Sequence, residues 1–81
     1  MSILRMDAVK AQTGYKSHTS VYTAIKAGLF TKGVSISERS VGWPDYEVEA
    51  LNNARIAGQS EAEIKELVNR LHTKRIALVQ T

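Results

Sequence analysis

Between Lys16 and Lys26 the chain reads Lys-Ser-His-Thr-Ser-Val-Tyr-Thr-Ala-Ile-Lys, a run of short hydroxyls, one imidazole, one phenol and a lysine at each end. Hydroxyls can bond base edges or phosphates, threonine methyls can meet thymine methyls, and lysine can reach a phosphate or a guanine edge. Lys32 and Arg39 add two cations further on. The same residue types carry little catalytic promise. The serines have no histidine base at a recognisable spacing, and His18 and His72, the only two histidines, have no ligand-spaced partner. With no cysteine there is neither a thiolate metal site nor a disulfide. These observations predict a non-enzymatic protein with no cofactor, no metal and no small-molecule substrate.

Spacing decides which of these groups can act together. From Ser17, a natural N-cap, Val21, Ala24, Ile25 and Leu29 recur at helical period and define one buried stripe. Thr19, Tyr22, Thr23 and Lys26 then point broadly away from it, with His18 and Ser20 flanking near the N-terminus, the end that normally approaches bases. Asp7–Thr13 suits a shorter helix stopped by Gly14, and Gly28 stops the second. Two short helices around a Gly-containing turn are the helix-turn-helix pattern. Backbone amides at the Ser17 helix start, with Lys10 and Lys16, are candidates to clamp phosphates, and Arg5 is a weaker one.

The period then changes. Val34 and Ile36 alternate with Ser35 and Ser37, and Val41 and Trp43 follow a polar tip, predicting a two-stranded hairpin with its turn at Ser37–Ser40. A lone hairpin is marginal in water, so Val34, Ile36, Val41 and Trp43 are expected to lean on the helices. Lys32 would stand at the base of this wing and Arg39 at its tip, where an arginine can enter a narrow minor groove. Pro44 closes the second strand before a third helix through Val48, Leu51 and Ala54 to about Gly58. Asp45, Glu47 and Glu49 sit near its positive end. Ser60-Glu-Ala-Glu63 is a capping box that opens a fourth helix with Ile64, Leu67, Val68 and Leu71 on one face. The last ten residues, with Lys74, Arg75 and Ile76-Ala-Leu-Val, are expected to fray or pair weakly.

Thr13-Gly14, the Ser17-to-Tyr22 segment, Gly28-Leu-Phe-Thr-Lys, Val34-Ser-Ile-Ser-Glu-Arg-Ser-Val-Gly-Trp-Pro and Glu47-Val-Glu-Ala-Leu together resemble AlpA-type phage regulators, across roughly residues 3–72. The resemblance implies a MerR-like or excisionase-like winged helix-turn-helix fold, mainly α with a small β-hairpin and added C-terminal helices. It implies a regulator of prophage or integrated-element genes, or a directionality factor that bends DNA for an integrase. Three departures stand out: the segment after Gly14 is one residue longer than the commonest pattern, His18 replaces the usual basic residue before Ser-Thr, and Gly33 stands where many relatives carry proline.

The bulk numbers agree with a small binding module. A chain of 81 residues makes one domain with a thin core. The expected division is a winged unit at 1–58 and an amphipathic helix and tail at 59–81 within the same compact domain. Net charge is +3, unevenly spread. Residues 1–44 hold six basic against two acidic side chains, whereas 45–81 hold five against six, so the positive field lies on the first half. No apolar run approaches a membrane span, and the N-terminus lacks a signal-peptide layout, so a cytoplasmic protein is expected. The expected partner is double-stranded DNA, through Lys16, Ser17, His18, Thr19, Ser20, Tyr22, Thr23, Lys26, Lys32 and Arg39. Self-association or contact with an integrase is a further partner reading. A competing function is a protein-interaction module, an inhibitor or adaptor of an integrase or response regulator, acting through helix 60–72.

Overall fold

The computed structural model describes residues 2–78. Its elements run β1 (Ile3–Leu4), α1 (Met6–Thr13), α2 (His18–Lys26), β2 (Val34–Ser37), β3 (Ser40–Pro44), α3 (Asp45–Ile56) and α4 (Glu61–Leu78). The architecture is mainly helical with one small antiparallel sheet, as a winged helix-turn-helix requires.

Local chemistry sets the first helix boundaries. Gly14 takes φ 85° and its N–H donates to Lys10 O at 2.9 Å, closing α1 with a left-handed cap. At Ser17 the hydroxyl accepts the Ser20 N–H at 3.1 Å and starts α2. The stripe read from sequence turns inward: Val21 and Ala24 are buried, and Ile25 and Leu29 pack at the core's edge. The centre is Trp43, Phe30, Leu51, Val9, Val21 and Val48, all essentially inaccessible. Trp43 donates its Nε1–H to Thr31 O at 2.8 Å, so the large indole is buried without an orphaned donor.

The sheet has one strand more than the sequence suggested. β1 pairs antiparallel with β3, Ile3 opposite Pro44 and Leu4 opposite Trp43, giving the order β1-β3-β2. Two residues carry too little periodicity to announce a strand. The wing's apolar residues also divide differently from expectation. Trp43 reaches the core and Val34 is half-buried, but Ile36 stays 47% exposed and Val41 37% exposed. The ladder shifts register between Ser35 and Ser37, and such a bulge re-aims the side chain it contains. Ile36 lies beside Ile3 over Gly42, where an added Cβ would meet Ile3 Cγ2 at 2.4 Å and Ile36 Cδ1 at 2.8 Å.

The C-terminal expectation is corrected most. The capping box forms, with Ser60 N–H donating to Glu63 Oε1 and Glu63 N–H to Ser60 Oγ. The helix it opens does not end near residue 72 but runs unbroken to Leu78, so Ile76-Ala-Leu is helical; Val79 lies outside the described residues. Ile64, Val68 and Leu71 join the same buried cluster as Val48 and Leu51. Arg75 is anchored by Glu47, a fully buried carboxylate, Nε to Oε2 at 2.7 Å, with Nη2 reaching the other oxygen. A buried charge is tolerable only when paired and hydrogen-bonded. That pairing carries α4 past its apolar stripe, so Glu47 does more than favour a helix dipole.

Candidate nucleic-acid interface

The α2 face opposite the core is open. His18, Thr19, Thr23 and Lys26 are exposed, as are Lys16 and Ser17 before the first turn, and Tyr22 is half-exposed at 50%. Ser17 and Ser20 are partly committed. Their hydroxyls lie 3.1 Å apart and Ser17 caps the helix, so both stabilise the helix start. Without an acidic residue in its first turn, α2 leaves its positive end uncompensated from within.

The wing closes on the start of this helix. Arg5, Met6, Asp7, His18, Tyr22, Arg39 and Val41 line a shared cleft of about 320 Å³. Of the residues singled out in sequence, His18, Tyr22 and Arg39 thus come together. Arg39, in the turn between β2 and β3, and His18, the first residue of α2, both line the cleft. Arg5 joins them, its Nη2 donating to Ser40 Oγ at 3.3 Å across from the end of β1 to the wing. The pairing of β1 with β3 brings it there, and a two-residue strand leaves no periodic signal in the sequence. The acidic member, Asp7, lies 3.7 Å from Lys10 Nζ.

Lys32 is placed elsewhere. Its side chain is exposed, its main chain is held by α4 at the base of the wing, and it is not among the residues that line the cleft. Lys16, Thr19, Thr23 and Lys26 share the helix without lining the cleft. The arrangement is therefore a polar helix face with Arg39 of the wing turn, whose chain neighbour is the exposed Glu38, beside its N-terminal end. Among the described residues no group of His, Asp or Glu is arranged to hold a metal. Nor is any helix long and apolar enough to cross a membrane.

A family model described as the prophage CP4-57 regulatory protein (AlpA) matches residues 2–56. The chain belongs to the AlpA family. This AlpA-family member is thus one of a family of prophage regulators rather than of enzymes. The match ends with α3, short of the residues 3–72 that carry the resemblance, and α4 lies beyond it. No curated protein and no solved structure matches the chain.

Proposed function

We infer that the protein is a duplex-DNA-binding regulator of a prophage or integrated element, acting in the cytoplasm. α2 enters the major groove and the wing tip reaches the flanking minor groove or its phosphates. The observation that carries this reading is the juxtaposition of the open polar face of α2 with Arg39 and Arg5 around one cleft. Thr19, Thr23 and Lys26 are the candidate readers of base edges, and Arg39, Arg5, Lys16 and Lys32 the candidate phosphate or groove contacts. Membership of a prophage regulatory family supports the same reading.

An excision-factor role is the finer version, in which the bound protein bends DNA and touches a neighbouring copy or an integrase. Interaction through the apolar stripe of helix 60–72 is not favoured, because Ile64, Val68 and Leu71 are buried in the protein's own core. The deciding experiment is a footprint on DNA flanking the element, followed by competition with unrelated duplex. Thr19→Ala and Thr23→Ala should erode the preference for the footprinted site. Preference unchanged in both variants would mean that α2 is not the reader.

A further inference from the structure

The connector between α2 and β2 has its main chain held by side chains from distant parts of the sequence. Arg55 of α3 donates to Leu29 O at 2.9 Å, and Trp43 of β3 to Thr31 O at 2.8 Å. Lys32 is held on both sides: its N–H donates to His72 Nε2 at 3.1 Å, and its carbonyl accepts from Arg75 Nη2 at 2.7 Å. Connectors of this kind ordinarily satisfy such groups with water. His72 and Arg75 stand three apart, on one face of α4. Arg75 is itself fixed by the buried Glu47 carboxylate, so the tether ends in the core rather than in a free side chain.

Lys32 stands two residues before the wing begins. Its backbone direction sets the angle at which β2 leaves the body. Four residues of strand make a lever of about 13 Å. A swing of about 10° at the base then moves the tip by about 2 Å, more than a hydrogen bond to phosphate tolerates.

We propose that α4 sets the position of the wing, with His72 and Arg75 as positioning residues that hold the Lys32 main chain and thereby keep Arg39 beside the start of α2. The consequence for binding rests on the DNA-binding reading above; the pin itself does not. It makes α4, outside the matched family region, part of the binding apparatus without touching the ligand.

The test combines backbone amide exchange on the free full chain with titration of a mixed-sequence duplex at several salt concentrations. His72→Ala should speed exchange at Lys32 and through Val34–Ser37 by about fivefold, the effect of one ordinary hydrogen bond, while α2 keeps its protection. Its salt slope should become shallower by about one, as for Arg39→Ala, and adding Arg39→Ala should change the slope no further. His72→Gln, which offers an acceptor to the same N–H, should restore both. If His72→Ala loosens the whole chain, the pair Glu47→Gln with Arg75→Met removes the tether to Lys32 O without leaving a buried charge alone. Unchanged exchange at Lys32 in His72→Ala, or unchanged exchange through Val34–Ser37 in the double variant, overturns the pin. Faster exchange with fully additive Arg39→Ala overturns the positioning role. A wild-type chain with no affinity for DNA defeats the binding reading alone, and the exchange measurements still decide the pin.

Discussion

Glu47 and Arg75 show how much a single contact can decide. The carboxylate is fully buried and the guanidinium mostly so, its side chain 22% exposed. Arg75→Ala leaves a charge in the core with no counterion, which should cost about 3 kcal/mol in urea unfolding. Glu47→Gln combined with Arg75→Met should cost clearly less, because no lone charge is left behind. His72 adds a pH dependence. Burial, helped by the nearby Arg75 and Lys32 cations and opposed by Glu47, holds its pKa below the ordinary 6.5. Accepting the Lys32 N–H also requires a neutral Nε2. A lowered histidine pKa stabilises the fold fully above 6.5, and that stability is lost as pH falls from there toward the folded value. Midpoints of unfolding should therefore drop between neutral and mildly acid pH, and His72→Gln should flatten that part of the profile. At this scale the sequence was legible where helical phase or a polar turn puts a side chain at the surface, as it does for His18 and Tyr22 on α2 and for Arg39 between β2 and β3. It was silent where a contact joins residues 28 apart, as Glu47 and Arg75 are.

The elements were readable wherever a local signal marks a boundary. Gly14 and Ser17 set the limits of α1 and α2, and the Ser60–Glu63 box opens α4. β1 escaped because its two residues become a strand only by pairing with β3. The end of α4 escaped because tertiary contacts from Arg75 and His72, rather than an amphipathic stripe, hold it. A consequence concerns what α4 is for. Burying Ile64, Val68 and Leu71 contributes about 1.5–3 kcal/mol each. A domain of this length has only about 4–12 kcal/mol in total. Truncation after Gly58 should therefore abolish cooperative unfolding, read by circular dichroism and calorimetry. A truncated chain that melts sharply near the wild-type temperature would show instead that α4 is an appendage. Ser60→Ala offers a gentler probe of the same helix and should cost about 1 kcal/mol.

Across the whole molecule, charge is sorted by position. The net positive first half carries α2 and the wing, and the net negative second half supplies the helices that support them. A polyanion approaching this field meets Arg5 and Arg39 around one cleft, whereas Lys74 sits over the Tyr46 ring, its Nζ 5.0 Å from the centroid. Counterion release makes this difference measurable, because each phosphate neutralised adds about 0.9 to the dependence of log affinity on log salt. Arg39→Ala and Arg5→Ala should each make that dependence shallower by about one, and together by about two, on any duplex sequence. Lys74→Ala, though it removes the same formal charge, should leave the slope unchanged, since its ammonium belongs to the supporting side. Equal slopes for all three variants would mean that net charge alone draws DNA to the protein. A drop confined to Arg5 and Arg39 makes the attraction a property of the wing and its cleft.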